Sequence, residues 1–298
     1  MNLLKSLHSP LYGKISFNEP LSLHTSIKAG GPASVWVQPD NTKQLCRLIK
    51  DAKRLKISVF TIGEGCNIIF GKNGLHGICV RLDSPAFKTI EFRGTYAKAG
   101  AGVSLKNLLA AASMHSLGGY EFLSGIPGSV GGAIFGNAGA QKKAISALLT
   151  EVFVVAPQGE IRKIKKEDIK FGYRHSSLNG NIITYAAFRF SKCAKKAASS
   201  LLRKNLTEKV KMQDYTAPSA GCVFKNPNEN LSAGELIDAC GLKGKKIGGA
   251  QVSTKHANFI INKANATPDD IFSLIRLIQK KVKGRYGVTL EEEPKIVK

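Results

Sequence analysis

The sequence lacks the simplest signatures of a metal site, a membrane protein and a secreted protein. Its 298 residues include six cysteines, but none of them forms C-x-x-C and none pairs with histidine at zinc-site spacing. No run approaches the roughly 18 consecutive apolar residues that cross a membrane. The N-terminal stretch MNLLKSLHSPLYGK has neither the apolar core nor the cleavage site of a signal peptide. We therefore expect a cytoplasmic protein without metal or disulfides.

Acidic and aromatic residues are also scarce. There are 21 Asp and Glu residues against 44 Lys and Arg residues, which gives a formal net charge of +23. Such a charge favours anionic partners. However, the basic residues are spread along the chain, no tract of five like charges occurs, and aromatic residues are not interleaved with the basic runs. We expect a phosphate-bearing small molecule rather than nucleic acid or a membrane, although a basic RNA-binding protein remains an alternative.

The two standard glycine motifs of nucleotide-binding proteins are absent as well. GEGCN at residues 63–67 follows an apolar stretch, but it is neither a G-K-[S/T] phosphate loop nor G-x-G-x-x-G. GAG at residues 100–102 precedes a predicted helix, but Leu105 occupies the third glycine position. The sequence therefore does not support a doubly wound dinucleotide-binding fold.

What the sequence does contain is a mixture of apolar strands and amphipathic helices. Strands are predicted at 33–38, 57–63, 77–82, 95–102, 182–190 and in a hairpin over 151–164, and helices at 41–56, at 104–117 and after Thr267. The strands cluster with few strand–helix–strand units, which indicates an α+β protein. The length favours two domains, and the small, polar segment 191–200 suggests a first domain over 1–195 and a second from 196 to 289.

Two glycine-rich stretches are suited to holding a ligand with their main chain. In GEGCN, successive bare amides can form a concave nest for a diphosphate, and Asn67 adds a donor. In GIPGSVGGAIFGNAGA (125–140), six of sixteen residues are glycine, which fits a flat or extended cofactor lying against the backbone. The alternative for both is a tightly packed loop.

Three further stretches carry reactive or charged side chains. Arg174 offers a two-pronged guanidinium to a carboxylate, and the alternative is a surface arginine. Cys222 lies beside Lys225 and Asn226 in PSAGCVFKNP, where it is either a proton donor or a small buried thiol. The tail carries three consecutive glutamates at 291–293; in an extended segment the first and third share a face. Their alternative is a solvated terminal cluster.

In combination, these stretches resemble one family, the bacterial UDP-N-acetylenolpyruvoylglucosamine reductases (MurB). The resemblance is carried in order by HTSIKAGGPA (24–33), GEGCN (63–67), GIPGSVGGAIFGNAGA (125–140), GYRHS (172–176), PSAGCVFKNP (218–227), AGELIDACGLKG (233–244), IGGAQVSTKHANFIIN (247–262) and LEEEPKIV (290–297). These fragments span nearly the whole chain, and their joint order makes the resemblance specific.

The resemblance implies a two-part FAD-binding region of the PCMH or vanillyl-alcohol-oxidase type, a smaller α/β substrate-binding domain, and a C-terminal tail (290–298) that returns to the active site. It implies an FAD enzyme with NADPH as hydride donor, which reduces the enolpyruvyl ether of UDP-N-acetylglucosamine in peptidoglycan synthesis. We expect a monomer. Another FAD-dependent oxidoreductase of the same fold, or a binding protein without chemistry, is the alternative.

The resemblance also implies roles for individual residues. Arg174 and Glu293 match the residues that stabilise the enol(ate), and Cys222 stands where better-known members have a proton-donating serine. Cys66 likewise replaces a serine of the flavin diphosphate loop, and Lys295 an arginine of some members. The expected cofactor residues are Gly63, Glu64, Gly65, Cys66, Asn67, Gly125, Ile126, Pro127, Gly128, Ser129, Gly131, Gly132 and Asn137. The expected substrate residues are Tyr173, Lys225, Asn226, His256, Lys211 and Lys295.

Overall fold

The structure is a computed structural model that describes residues 9–298. The prediction that the N-terminal stretch lacks the features of a signal peptide concerns residues that lie largely outside the described part of the chain. The helices are α1 (Ser9–Tyr12), α2 (Thr42–Arg54), α3 (Leu105–Met114), α4 (Val130–Phe135), α5 (Lys195–Met212), α6 (Ala233–Ala239) and α7 (Pro268–Tyr286). Between residues 9 and 298, none of them combines the length and the apolar character needed to cross a bilayer.

The strands are short and numerous, as the clustering of apolar stretches predicts. In chain order they are β1 (Lys14–Pro20), β2 (Pro32–Gln38), β3 (Val59–Ile62), β4 (Ile68–Phe70), β5 (Leu75–Arg81), β6 (Ile90–Arg93), β7 (Tyr96–Gly100), β8 (Leu117–Gly118), β9 (Gly139–Ala140), β10 (Lys143–Ala144), β11 (Leu149–Val155), β12 (Ile161–Lys165), β13 (Phe171–Gly172), β14 (His175–Ser176), β15 (Ile182–Arg189), β16 (Ser191–Lys192), β17 (Ser219–Cys222), β18 (Lys246–Ile247), β19 (Ala250–Val252), β20 (Phe259–Asn262) and β21 (Lys295–Val297).

The chain divides into two compact units, each assembled from separated pieces. The first contains the described residues up to 17 together with 34–64 and 76–207, and the second contains 18–33, 65–75 and 208–298. The last division between them falls after residue 207, inside α5. The domain boundary near residue 195 stays a prediction.

Two sheets carry most of the first unit. One is antiparallel with the order β12-β11-β15-β7-β6, and the other has the order β1-β2-β5-β3, in which β3 and β5 are parallel. The predicted hairpin over 151–164 is confirmed, since Val155 pairs with Ile161 across the turn. Apolar side chains of both sheets, α2 and α3 form one continuous core.

Helix α2 shows how local sequence places an element on this core. Asn41 accepts a hydrogen bond from the backbone N–H of Gln44 and so caps the helix start. Leu45 and Leu48 lie three residues apart on one face and are fully buried, and Ala52 continues the same stripe. The helix predicted over 41–56 therefore exists and is fixed by its apolar face.

The second unit is built on a four-stranded antiparallel sheet with the order β17-β20-β19-β18 and on α6 and α7. Its core is a separate apolar cluster that includes most of the buried face of α7. The predicted start of α7 is confirmed: Thr267 and Asp270 form a reciprocal capping box, Pro268 is the first helical residue, and Gly287 ends the helix with φ 69°.

Two predicted elements are shorter than expected. The helix predicted over 104–117 ends at Met114, because Ser116 adopts φ 57° and Leu117 pairs with Lys192 instead. The strand predicted over 290–297 exists only as β21, which follows Pro294 and pairs in parallel with β4. Proline has no N–H to give to a ladder, so regular pairing begins after it.

Candidate active site

The first unit brings the two predicted glycine-rich stretches together. A Cβ on Gly63 would collide with the hydroxyl of Ser129, so the bare main chain at 63 lies directly against the second stretch. Ser129 is buried and caps α4 by accepting a hydrogen bond from the N–H of Gly132 at 3.3 Å. The N–H of Gly131 donates to Ala101 at 2.9 Å. Part of the glycine-rich main chain is therefore committed to the fold, and the rest is held in a fixed position.

Gly128 is a position where this stretch borders open space. It adopts φ 122°, a conformation that L side chains rarely adopt, and an added Cβ would meet nothing within 4 Å. Its carbonyl accepts a hydrogen bond from Leu105 at 2.8 Å, which holds the loop at the start of α3. Bare backbone next to open space fits a group that lies flat against the main chain.

Asn137 connects the glycine-rich stretch to the turn that carries Arg174. Its side-chain N–H donates to the carbonyl of Gly172 at 2.9 Å, and its carbonyl oxygen accepts from Ser146 N–H at 3.4 Å. The hydroxyl of Ser176 donates to Phe135 O at 2.7 Å. The structure thus uses the Asn137 side chain to hold two predicted site segments together.

Arg174 stands at the tip of a two-residue turn between β13 and β14. It adopts φ 56°, in the left-handed region that costs a non-glycine residue about 1–2 kcal/mol. One guanidinium N–H donates to Gly139 O at 3.0 Å, and the guanidinium lies 5.3 Å from the ring centre of Tyr173, which is exposed. Eight other described non-glycine residues also adopt positive φ, so this backbone fixes the turn but does not by itself mark a functional residue.

In the second unit, Cys222 ends strand β17 directly after Gly221, which adopts φ 78°. Cys222 is a half-buried cysteine whose register partner in β20 is Phe259. Tyr215, which sequence reasoning missed, lies close enough to interact with the thiol. Burial raises the pKa of Tyr215, with a smaller contribution from Cys222. No sequence pattern marks this tyrosine, because its significance comes only from that proximity.

The glutamate tail runs alongside the Cys222 segment. Glu293 N–H donates to Val223 O at 2.9 Å, and Lys225 N–H donates to Glu291 O at 2.9 Å. The side chains of Lys225 and Glu291 also form an ion pair at 3.3 Å, whereas Glu292 accepts a hydrogen bond from Gln279 of α7 at 2.8 Å. Glu291 and Glu292 thus contact different partners. The backbone of Glu293 is held next to Cys222, the candidate proton donor.

The end of the GEGCN loop belongs to the same group of residues. Asn67 donates from its side chain to Glu293 O at 3.4 Å, and its carbonyl accepts the N–H of Lys295 at 3.0 Å. Ser26, in the fragment HTSIKAGGPA, donates its backbone N–H to Gly65 O at 3.0 Å and its hydroxyl to Ser219 O at 2.6 Å. Residues 65–67 are therefore tied to the Cys222 strand and to the tail.

The remaining predicted substrate residues lie in three places of the second unit. His256 Nδ1 accepts the N–H of Asn258 at 3.2 Å, which leaves the proton on Nε2, and burial lowers the pKa of His256. Asn226 accepts the N–H of Ala233 at 3.1 Å at the start of α6. Lys211 is exposed in the last turn of α5.

A separate open groove in the first unit has a volume of 480 Å³ and is lined by Gly94, His115, Ser116, Leu117, Lys192, Cys193 and Ala194. None of the predicted site residues is among them. The candidate site therefore rests on the hydrogen-bonded groups above and not on this groove.

Two protein families match the chain in order. The family "FAD binding domain" matches residues 33–165, and "UDP-N-acetylenolpyruvoylglucosamine reductase, C-terminal domain" matches residues 213–297. These matches confirm the predicted fold class, a FAD-binding domain of the PCMH type followed by a smaller C-terminal domain.

Whole-chain relatives agree with these matches. The chain is 37% identical over 297 residues to the UDP-N-acetylenolpyruvoylglucosamine reductase of Halalkalibacterium halodurans, covering 99% of this chain and 98% of the relative. It is 40% identical to UDP-N-acetylenolpyruvoylglucosamine reductase 2 of Bacillus cereus, with coverage of 96% and 93%. The crystal structure of UDP-N-acetylenolpyruvylglucosamine reductase from Thermus caldophilus superimposes with a TM-score of 0.82 at 29% identity, covering 96% of this chain and 98% of that chain.

Proposed function

The chain belongs to the UDP-N-acetylenolpyruvoylglucosamine reductase family of FAD-dependent oxidoreductases, and we propose that it reduces the enolpyruvyl ether of UDP-N-acetylglucosamine to UDP-N-acetylmuramate with NADPH. This places it in peptidoglycan synthesis. Both NADPH and the nucleotide sugar are anionic, in keeping with the net charge of +23. A cytoplasmic location and a monomeric state belong to the same proposal.

The observation that carries the proposal is the hydrogen-bonded group in the second unit. The glutamate tail bonds to the main chain next to Cys222 through Glu293, and Asn67 of the GEGCN loop bonds to the same glutamate. A cofactor-loop residue, an acid candidate and a carboxylate candidate are thus neighbours although they are far apart in the sequence. Packing alone does not require these three residue types at one place.

The residues present fit FAD. When bound, the flavin carries hydride from the nicotinamide to the substrate carbon. We propose that residues 63–67 and 125–132 hold it, because Gly63 has no room for a side chain and Gly128 presents bare backbone to open space. Main-chain amides in such loops suit a diphosphate.

The substrate chemistry assigns distinct tasks to Arg174 and Glu293. Addition of hydride to the alkene places negative charge on the carbon beside the carboxylate, which then has enolate character. Arg174 offers fixed N–H donors to that carboxylate, and Glu293 holds the enol form through a hydrogen bond. Donors that are fixed before the reaction need no reorganisation while the charge develops.

Cys222 supplies the proton that completes the reduction. A thiol has a reference pKa of about 8.5, so it is mostly protonated at neutral pH and is a stronger acid than a serine hydroxyl. The Sγ–H bond breaks, the proton forms a C–H bond at the enolate carbon, and the thiolate regains a proton from solvent. Cysteine in place of serine is therefore chemically adequate for this step.

The remaining polar residues are proposed to bind the substrate. Lys211, Lys225 and Lys295 are suited to its phosphates, and Asn226, His256 and Tyr173 to its neutral groups. Because His256 carries its proton on Nε2, it would act as a neutral donor. The ion pair of Lys225 with Glu291 is solvent-exposed and weak, so an anionic ligand can replace it.

The visible absorption spectrum of the FAD-loaded protein tests the proposal. NADPH is added without oxygen, and then the enolpyruvyl substrate. Loss of the yellow colour with NADPH and its recovery with substrate are expected. A protein that binds no FAD would remove the flavoenzyme proposal. Loss of colour without recovery would keep the cofactor and the donor, and would favour a different substrate for the same fold.

A further inference from the structure

The main chain after Cys222 is held on one side by a side chain instead of a strand. Asn258 accepts a hydrogen bond from Phe224 N–H with its Oδ1 at 2.9 Å and donates from its Nδ2 to Phe224 O at 2.8 Å. The side-chain amide of Asn258 thus pairs with both the backbone N–H and the backbone C=O of Phe224, as a neighbouring strand would. A side-chain amide can do this because it has the same donor and acceptor as a peptide group.

The amide stands where the sheet cannot continue. Strand β20 begins at Phe259, and before it the chain turns, since Phe259 N–H donates to His256 O at 2.9 Å. The last backbone bond of the pairing runs from Val223 N–H to Asn258 O at 2.8 Å. Beyond that point Phe224 has no backbone partner in β20, and the Asn258 side chain takes that place.

The other side of the same segment faces the glutamate tail. Val223 O accepts from Glu293 N–H, and Lys225 N–H donates to Glu291 O, both at 2.9 Å. The segment 223–225 therefore lies between the tail on one side and Asn258 on the other. Asn258 also donates its backbone N–H to His256 Nδ1. Asn258 thus contacts both His256 and the segment 223–225 that follows Cys222. Through that segment it is connected to the glutamate tail.

We propose that Asn258 is a positioning residue that holds Cys222, the Glu293 tail and His256 in one register. The proposal rests on the proposed function, because it assumes that the register of Cys222 matters for proton transfer. We call the two hydrogen bonds between the Asn258 side chain and the Phe224 backbone the clamp. The clamp is strong because Asn258 and Phe224 are 4% and 1% exposed, so neither group can exchange its partner for water. Asn258 acts through other residues and does not itself touch substrate.

Asn258→Asp in the FAD-loaded full-length protein is the first test. A protonated carboxyl has one donor and one acceptor and can replace the amide, whereas a carboxylate has no donor for Phe224 O. Burial raises the pKa of an introduced carboxyl. Below that pKa the clamp is intact, and above it the clamp is broken, so the defect should grow as pH rises.

We expect recovery of the flavin colour by the enolpyruvyl substrate to slow about tenfold at pH 8, whereas bleaching by NADPH changes less than about twofold. At pH 6 the defect in recovery should shrink to about threefold or less. Equal slowing of both half-reactions, or a defect independent of pH, would overturn the proposal.

Asn262→Asp is the matched control. Asn262 is the last residue of β20, the strand that follows Asn258, and it also uses both ends of its amide, donating to Ile27 O at 3.0 Å and accepting from Ala266 N–H at 2.7 Å. It has no side-chain bond to residues 222–225. The control should change stability but leave the ratio of the two half-reactions unchanged; a defect in recovery equal to that of Asn258→Asp would contradict a specific role.

The rate at which iodoacetamide alkylates Cys222 in the folded protein tests the positioning without substrate. The extent of alkylation is measured on the peptide that contains Cys222, after digestion. Asn258→Asp should raise its rate about threefold or more at pH 8 relative to Cys240, a half-buried thiol of the same unit. If the parent protein is not reoxidised by the substrate, the proposed function fails, but this rate still reports on the clamp. An unchanged ratio of the two thiols would overturn the clamp alone.

Asn258→Ser covers the case in which Asn258→Asp does not fold. Its shorter side chain carries one polar atom in place of the separate acceptor and donor atoms that the amide places on the two groups of Phe224. Recovery of the flavin colour should then slow about threefold with bleaching unchanged. Recovery at the parent rate would show that the second hydrogen bond does not matter and would overturn the proposal.

Discussion

The glycine-rich stretch of the first unit and the Cys222 segment of the second unit, both proposed to bind ligands, differ in what they would present to a ligand. Near Gly128 the important property is the absence of a side chain, since the backbone adopts φ 122° beside open space. Around Cys222 the important properties are the identities of side chains, because the segment that carries the thiol is bonded to the backbone of Glu293 and to the buried amide of Asn258. We therefore expect that substitutions which add side-chain atoms impair the first region. Substitutions which remove side-chain atoms should impair the second.

The largest expected effect tests the side-chain dependence of the second region. Cys222→Ala should lower turnover by about 10²–10⁴-fold, since a positioned general acid is lost. Bleaching of the flavin by NADPH should be preserved. Cys222→Ser should keep substantial activity, and Cys240→Ala, which changes a thiol outside the site, should be near the parent. Parent-like turnover of Cys222→Ala would remove the assignment.

Arg174 is an exception to this comparison, because it lies in the first unit but is proposed to act through its side chain. Arg174→Ala and Arg174→Gly should both slow reoxidation by about 10²–10³-fold, as expected for loss of a charge-stabilising donor. Because glycine accepts the left-handed backbone that the structure imposes, Arg174→Gly should be the more stable of the two by about 1 kcal/mol. Thermal unfolding and stopped-flow kinetics separate the two effects; equal stabilities would argue against backbone strain.

Gly128→Ala tests whether an added side-chain atom impairs the first region. Added bulk on the open backbone should weaken FAD binding about tenfold, which equals about 1.4 kcal/mol. Gly94→Ala is the control, since Gly94 has φ 59° and an added Cβ there also meets nothing within 4 Å. Both variants should lose some stability, but only the first should lose FAD affinity in a fluorescence titration. Equal affinity losses would point to a general effect on the fold.

The smallest expected effect is a pH dependence in the second unit. Burial lowers the pKa of His256 in the folded protein below its usual 6.5. Between the folded and unfolded pKa values the unfolded chain binds more protons, so stability falls as pH decreases from about 6.5. His256→Asn keeps an acceptor for Asn258 N–H and removes the titration. Thermal melts between about pH 7 and pH 5 should be flatter for this variant than for the parent and for the exposed control His76→Asn.

Much of the fold could be predicted because its signals are local. The stripe of Leu45 and Leu48 predicts α2, the sequence after Thr267 predicts the capped start of α7, and the apolar pair of stretches over 151–164 predicts its hairpin. Each of these depends on side chains a few residues apart. The glycine-rich stretches and Cys222 were also visible as unusual residues at turns.

The rest depends on contacts between distant parts of the chain. The pairing of β21 with β4 joins residues more than two hundred positions apart, and no periodicity in either stretch indicates it. The clamp of Asn258 on Phe224 and the proximity of Tyr215 to Cys222 are likewise invisible, because an asparagine or a tyrosine in a sequence does not show its partner. The left-handed backbone of Arg174 follows from the loops around it.

The parallel pairing of β21 with β4 has a consequence for synthesis of the chain on the ribosome. Strand β4 is made early, but its partner Lys295–Val297 is made more than two hundred residues later. Until then the edge of β4 lacks this partner, and such contacts between distant residues form slowly. Glu293 lies two residues before the same strand, so the proposed catalytic carboxylate and the closing strand arrive together. We therefore expect a nascent chain to be catalytically silent until β21 has been made and has paired with β4.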